Sequence, residues 1–126
     1  MKKRKLGMII SDISAKISLA TPEELAKYNV NILARSYGLS APNLCRAFQK
    51  RIPLKLGWYL RYLKLRAFEK MIKENPDMTV SAALKILDIR SQSHFGEMYK
   101  KRRNMTPGDL AVICQIEREQ AERSAT

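Results

Sequence analysis

Two short strings of the chain carry the same residue types at the same spacing. The string 44–51 has apolar residues at its first and fifth positions and ends in Lys-Arg, and the string 95–102 repeats this pattern 51 residues later. Arg46 lies within the first string and Gln92 lies just before the second. Guanidinium, ammonium and amide groups hydrogen-bond to phosphate oxygens and to the edges of bases. The repeated pattern therefore favours recognition of a nucleic acid over proton-transfer chemistry.

The other reactive side chains do not form a catalytic or metal-binding set. The chain has one histidine, His94, and two cysteines, Cys45 and Cys114, which lie too far apart in sequence to indicate a zinc site or a disulfide framework. The sequence has no nucleophile–base pair, no acidic cluster and no phosphate-binding loop. We therefore expect that the protein is not an enzyme and uses no metal or cofactor. For His94 we expect a partly buried or phosphate-contacting position.

Positive charge is concentrated in the middle of the chain. The 126 residues include 24 Lys and Arg against 12 Asp and Glu, and residues 40–103 hold 15 of the basic residues and 5 of the acidic ones. Such a field suits a nucleic acid, although a basic surface that only keeps the protein soluble is the alternative. The basic run 2–5 could contact phosphates, but a frayed terminus is favoured. No apolar run approaches the ~18 residues of a membrane span, so we expect a cytoplasmic, reducing location.

Apolar residues recur at helical spacing along the chain, which predicts an all-α fold. The longest predicted helix covers residues 55–74 and ends before Pro76. Its apolar stripe is Leu56, Leu60, Leu63, Ala67 and Met71. The other predicted helices cover residues 6–19, 22–28, 30–37, 41–51, 80–87, 91–101 and 108–122. Polar residues suited to cap four of these helices are Thr21, Asn29, Ser40 and Thr79.

Two pairs of these helices have the layout of a helix-turn-helix. Gly38 follows the first helix of one pair and supplies the positive φ that the tight turn requires. Asp88 occupies the same position in the other pair, and Asp tolerates a left-handed backbone better than most residues. Arg90 or Ser91 opens the next helix, and Asn104 ends it. In the last helix we expect Leu110, Ile113 and Ile116 to pack inward.

The string 91–107, SQSHFGEMYKKRRNMTP, resembles the signature of AraC/XylS-family transcription regulators, which is roughly S-x-S-x-F-x-R-x-F-K-K-x-x-G-x-[ST]-P. Leu33 and Ala34, the turn from Gly38 to Ser40, and the central helix fit the same family in order and spacing. The resemblance covers about residues 30–110. The small stand-alone MarA/SoxS-like members are the closest in size.

This resemblance implies a fold and a mode of action. The fold has about seven helices, arranged as two helix-turn-helix subdomains joined by a long central helix. The implied boundaries are 6–52 for the first lobe, 53–75 for the linking helix and 76–122 for the second lobe. The second helix of each lobe would enter successive major-groove segments of double-stranded DNA. A monomer would bind an asymmetric site and contact RNA polymerase at promoters.

The second lobe departs from the family pattern at several positions. Asp88 and Ile89 stand where Gly-Phe is usual, Asn104 replaces a glycine, and Glu97 stands where arginine is frequent. A carboxylate that faces the groove repels phosphate, and its favourable base partner is the amino group of cytosine. Pairing of Glu97 with a neighbouring Lys or Arg is favoured over that contact. The second lobe would then contribute more to affinity than to the choice of sequence.

A helix in the major groove presents mainly its amino-terminal half to the bases. In the first lobe the expected base contacts are Ala41, Pro42, Asn43, Cys45 and Arg46. In the second lobe they are Arg90, Gln92, Ser93, Gly96 and Glu97. The expected phosphate contacts are Ser40, Lys50, Arg51, Arg61, Ser91, Lys100 and Lys101. Arg46 is favoured for guanine, with a phosphate contact or a salt bridge as its alternative, and Gln92 suits adenine.

Other functions remain open at this point. A degenerate helix-turn-helix protein could bind DNA non-specifically as an accessory factor or act as a protein-interaction module. RNA binding is disfavoured, because the chain lacks interleaved aromatic platforms and glycine-rich clamps. Relatives often carry a sensing or receiver domain, so the chain is expected to be either a stand-alone small regulator or an excised C-terminal domain. The segment 20–28 is longer than the family pattern and has no functional assignment.

Overall fold

The computed structural model describes residues 6–125, and this part of the chain forms eight helices and no strand. The helices are α1 (Leu6–Ser18), α2 (Pro22–Lys27), α3 (Val30–Ser36), α4 (Ala41–Arg51), α5 (Leu56–Glu74), α6 (Val80–Ile86), α7 (Gln92–Arg103) and α8 (Pro107–Ala125). The predicted all-α fold is confirmed. None of the described helices is long and apolar enough to cross a membrane. The basic run 2–5 lies outside the described residues.

The segment 20–28 contains α2, one helix more than the family resemblance implies. Thr21 and Glu24 form a capping box: the Glu24 amide donates to the Thr21 hydroxyl at 3.1 Å, and the Thr21 amide donates to the Glu24 carboxylate at 2.8 Å. Pro22 occupies the first turn, where its missing N–H leaves no hydrogen bond unmade. Leu25 is buried and anchors the helix. The longer segment is therefore an ordered helix with its own capping and packing.

The chain divides into two compact units, Met1–Lys64 and Leu65–Thr126, and α5 runs through the boundary. In the first unit α4 packs against both α1 and α3. The core of this unit is made of fully buried side chains from all four of its longer helices, including Ile13, Leu33, Leu44, Phe48 and Leu56. The Tyr37 hydroxyl, at the end of α3, donates to the Asp12 carboxylate of α1 at 3.0 Å.

The first helix-turn-helix is closed by caps on both helices and by a left-handed residue between them. Asn29 accepts a hydrogen bond from the Ile32 amide at 2.8 Å, which caps α3, and Ser40 caps α4 in the same way. Gly38 has φ +69°. The Leu39 amide then reaches back to the Ala34 carbonyl at 2.8 Å, so that α4 leaves α3 at a defined angle.

The second unit builds an equivalent turn from different residues. Thr79 caps α6 and Ser91 caps α7 through their hydroxyls. Asp88 takes the left-handed position with φ 58°, and the Ile89 amide donates to the Leu84 carbonyl at 2.9 Å. Asn104 ends α7 with φ 59°. The left-handed backbone predicted at Asp88 and the ending of α7 at Asn104 are both confirmed.

Three aromatic rings form the centre of the second unit. Phe68 of α5 makes edge contacts with Phe95 and Tyr99 of α7, with ring centroids 5.0 and 5.9 Å apart. The two α7 rings also stack on each other at 5.9 Å. Offset and edge-on aromatic pairs add about 0.5–1.5 kcal/mol beyond the area that they bury. α7 is therefore held to α5 by its aromatic face, and α8 packs against both α6 and α7.

A carboxylate on α5 adds a polar tie to the same pair of helices. The Glu69 carboxylate accepts a hydrogen bond from the Tyr99 hydroxyl at 2.9 Å and two from the Arg103 guanidinium, at 2.7 and 3.0 Å. The Glu69 side chain is 16% exposed, so these bonds lie largely out of water. Burial of the phenol, together with its bond to the Glu69 carboxylate, raises the pKa of Tyr99 well above its usual range.

The buried face of α8 differs from the predicted one. Leu110 is buried as expected, but Ile113 and Ile116 are 39% and 47% exposed. The other buried residues of the helix are Pro107 and Cys114. In a helix of 3.6 residues per turn, Ile113 and Ile116 lie three and six residues after Leu110 and are rotated progressively away from it. Cys114 lies four residues after Leu110 and stays near the same side of the helix. The prediction for Ile113 and Ile116 was therefore wrong.

Substitutions at the two left-handed turn residues should change stability in opposite directions, because one removes a glycine and the other introduces one. A Cβ built on Gly38 meets no atom within 4 Å, so Gly38→Ala should cost about 1 kcal/mol through the left-handed backbone alone. Asp88→Gly should gain about 0.5 kcal/mol, since it relieves the same cost and loses only an exposed 3.7 Å ion pair with Arg90. Urea unfolding of both variants measures this. Equal stability of Gly38→Ala and the unchanged protein would contradict a left-handed backbone at Gly38.

The Tyr99–Glu69 bond predicts a dependence of stability on alkaline pH. Tyr99→Phe keeps the ring but removes the bond to the carboxylate, so it should cost about 1–2 kcal/mol at pH 7. Because the folded state raises the pKa of Tyr99, this contribution is complete below about pH 10 and is lost as the pH rises further. The difference in unfolding free energy between the two proteins should therefore narrow above pH 10. Urea unfolding from pH 7 to 11 checks this.

The matched control for that series is Tyr37→Phe. It also removes a phenol–carboxylate hydrogen bond, but the bond to Asp12 is exposed and is worth less. A difference between Tyr99→Phe and the unchanged protein that stays constant up to pH 11 would refute the role of the phenol proton.

Candidate nucleic-acid interface

The exposed side of α4 brings together the five residues that the sequence assigned to the bases in the first lobe. Pro42, Asn43 and Arg46 are exposed, and Ala41 and Cys45 are half-buried beside them. Ser40 holds the start of this face, because its hydroxyl accepts from the Asn43 amide at 3.2 Å. The first turn of the helix is therefore fixed at the end that a major-groove helix presents to bases.

Gln49 is a further candidate on this face that the motif did not single out. It is exposed and lies three residues after Arg46 and seven after Pro42, which places the three side chains in one row along α4. Helical spacing from Arg46 is the signal that identifies it. Lys50 is exposed in the last turn, where its charge also interacts favourably with the helix dipole.

Arg46 and Asn43 are joined on the surface of α4. The Arg46 Nη2 group donates a hydrogen bond to the Asn43 Oδ1 atom. Both side chains are exposed, and Arg46 forms no ion pair with an acidic residue in the described part of the chain. The guanidinium keeps its full charge and its other N–H donors.

Arg51 lies apart from the row that contains Arg46. Its guanidinium rests against the backbone of Gly7 in α1, and a Cβ built on that glycine would collide with it. Arg51 also lines an open cleft beside Ser11 and Asp12. The structure therefore places this predicted phosphate contact on the α1 side of the unit.

The exposed side of α7 presents a second set of predicted base contacts. Gln92, Ser93 and Glu97 are exposed, and Gly96 between them is half-buried, with no atom within 4 Å of a Cβ built on it. Arg90 precedes the helix with an 88% exposed side chain, close to Asp88. Lys100 and Lys101 continue the exposed side toward the end of α7.

The Glu97 carboxylate forms no ion pair with any residue from 6 to 125. The favoured expectation of a bond to a neighbouring Lys or Arg is therefore not met, although Lys100 and Lys101 stand at suitable helical spacing. Exposed pairs gain little in water and cost side-chain entropy, which explains why the carboxylate stays solvated. His94 is also exposed rather than partly buried.

The two serines assigned to phosphates act as helix caps. The Ser91 hydroxyl accepts from the His94 amide at 3.1 Å, as Ser40 does for Asn43. Arg61 is exposed on α5. Within residues 6–125 no group of three or more His, Cys, Asp or Glu side chains could hold a metal ion, and Cys45 and Cys114 are free thiols.

Comparisons with known proteins identify the family but no individual relative. No curated protein and no solved structure matches the chain. A family model, HTH_18, described as a helix-turn-helix domain, matches residues 33–111, which run from α3 into α8 and cover more than half of the chain. This family is the AraC type, a non-enzymatic DNA-binding domain. The chain therefore belongs to the AraC-type helix-turn-helix family of DNA-binding transcription regulators.

Proposed function

We propose that the protein binds specific sequences in double-stranded DNA by inserting α4 and α7 into successive major-groove segments. The observation that carries this proposal is the shared geometry of the two modules. In each, a left-handed residue, Gly38 or Asp88, precedes a hydroxyl-capped helix whose exposed side carries side chains suited to base edges. The lobes 6–52 and 76–122 would each contact bases, and the segment 53–75 would join them.

The first lobe would supply most of the base selection. Arg46 would make the bidentate contact with guanine, a pairing worth about 1–3 kcal/mol of discrimination. Pro42 suits contact with a thymine methyl group. Ala41, Cys45 and Gln49 would lie beside them, within reach of the same base pairs.

The second lobe would read fewer bases. Gln92 suits adenine through its amide, with Arg90 and Ser93 beside it. The solvated carboxylate of Glu97 supports a contact with the amino group of cytosine, because no described cation neutralises it. Gly96 leaves an open space on the same face. A site with cytosine opposite Glu97 would avoid the penalty that this carboxylate imposes elsewhere.

The basic side chains around these faces would fix the protein on the duplex. The candidates are Lys50, Arg51, Arg61, Lys100 and Lys101, together with the capping residues Ser40 and Ser91. Such contacts set register and carry no sequence information. The surplus of basic residues within 40–103 supports this role.

The family supports the remaining features of the proposal. The protein would bind as a monomer to an asymmetric site in the cytoplasm, and contacts with RNA polymerase at a promoter would make it an activator. A non-specific accessory role is the second candidate. It is favoured by Glu97, since a carboxylate on the exposed side of α7 limits the base contacts that this lobe can make.

Selection from a random pool of duplexes at about physiological salt tests the proposal, because salt weakens non-specific phosphate binding. We expect two enriched half-elements about one helical turn apart, read by α4 and α7. A single half-element would restrict base reading to one lobe. No enrichment would refute sequence-specific binding and favour the accessory role.

Arg46→Ala should weaken binding in a way that depends on the DNA sequence. On the selected site we expect a loss of about 5- to 150-fold, and on random duplex a much smaller one, because only the guanine contact is sequence-specific. Titrations on both duplexes measure this. Lys27→Ala, which removes one exposed charge from α2 outside the matched region, is the charge control. Equal losses on both duplexes would assign Arg46 to a phosphate.

A further inference from the structure

The backbone of Asn43 is held in the first turn of α4, and its side chain is hydrogen-bonded to Arg46. Its backbone amide donates to the Ser40 hydroxyl, which locks the first turn of α4 around it. Its Oδ1 atom, as an acceptor, lies where the Arg46 Nη2 group reaches it one turn later. The hydrogen bond from Nη2 to Oδ1 therefore ties the guanidinium to a residue whose backbone is fixed in the first turn of the helix.

The hydrogen bond from Arg46 to Asn43 matters because an unconstrained arginine side chain loses conformational entropy when it binds. Arg loses up to about 2 kcal/mol of rotamer entropy when its side chain is immobilised. An intrahelical hydrogen bond fixes part of that freedom before the partner arrives, and preorganisation of this kind increases affinity. The guanidinium has donors to spare, because Asn43 occupies only one edge of Nη2.

A neutral amide suits this task better than a carboxylate. An aspartate at the same position would accept the same hydrogen bond, but its charge would repel the phosphates of the duplex. Asn43 leaves the positive charge of Arg46 uncompensated. Its amide thus directs the guanidinium without lowering the attraction to DNA.

We infer that Asn43 is a positioning residue that sets the base preference of Arg46, an inference that rests on the proposed base-reading function. Asn43 acts through the guanidinium and holds it toward the base edge. Its removal leaves Arg46 charged but mobile. The guanidinium then binds phosphates and several bases with similar strength, so the preference for one base falls more than the affinity for DNA in general.

The experiment measures the base preference of the full chain at single base pairs. The probes are the duplex enriched by selection and versions with each of the other three bases at the position that becomes indifferent in Arg46→Ala and at its neighbouring positions. The variants are Asn43→Ala, Asn43→Asp, Arg46→Ala and the double variant of Asn43→Ala with Arg46→Ala. Asn31→Ala, an exposed asparagine on α3, is the matched control. Thermal unfolding of each variant reports whether α4 remains folded.

Asn43→Ala should reduce the preference for the selected base about 3- to 10-fold, the range expected for one lost hydrogen bond. In the Arg46→Ala background Asn43→Ala should change the base preference at no position. Asn43→Asp should retain the preference, because it retains the acceptor, while it binds every duplex more weakly. Asn31→Ala should bind as the unchanged protein does. The rescue by Asp separates positioning from a merely structural role, which would change the melting temperature and not the preference.

Two outcomes overturn the inference alone, and one removes its basis. If Arg46→Ala abolishes the preference while Asn43→Ala leaves it intact, the hydrogen bond has no directing role. If Asn43→Ala changes the preference at another base pair, also without Arg46, then Asn43 contacts a base itself. If the unchanged protein shows no base preference, or if Arg46→Ala keeps the full preference at every position, the base-reading function itself is wrong.

Discussion

A single left-handed residue in each module decides where the exposed faces of α4 and α7 lie. At Gly38 and at Asp88 the chain takes a positive φ. The amide of the residue that follows then donates to a carbonyl of the preceding helix, at 2.8 Å from Leu39 and at 2.9 Å from Ile89. The caps, the buried leucines and the exposed side chains all follow from that reversal. Two sequences that share few residues here therefore reach the same local geometry.

The two modules are stabilised in different ways. The first relies on a mainly aliphatic core in which Leu44 and Phe48 are fully buried. The second holds α7 through three aromatic rings and through the Glu69 carboxylate, which binds both Tyr99 and Arg103. Its left-handed Asp88 costs more than a glycine would. The additional ties between α5 and α7 offset that cost and keep the exposed side of α7 in place.

The sequence predicted the local features of this fold well. Caps such as Ser40 and turn residues such as Asp88 depend on neighbours in the chain, so short patterns identify them. The faces of helices with several partners were harder to predict. α5 buries Leu60 in one unit and Phe68 in the other, while Leu63 of the predicted stripe is only half-buried, because a helix shared by two cores has no single apolar side.

Side-chain partners were the least predictable features. Glu69 bonds to residues 30 and 34 positions away, and nothing in the spacing of that region indicates such a pairing. The bond between Asn43 and Arg46 joins two exposed side chains, whose rotamers the sequence does not determine. Glu97 had cations at suitable spacing and still forms no pair with a described residue, since solvation competes well with an exposed ion pair.

The glycine in the middle of α7 bears on how this protein can evolve. Gly96 destabilises the helix by about 0.5–1 kcal/mol relative to alanine. The space above it is empty, and it lies between Gln92 and Lys100 on the exposed side. Most residues other than proline could replace it with a gain in helix stability, and each would place a new side chain on the exposed side of α7. Mutation at this position therefore escapes the usual conflict between acquiring a new specificity and remaining folded.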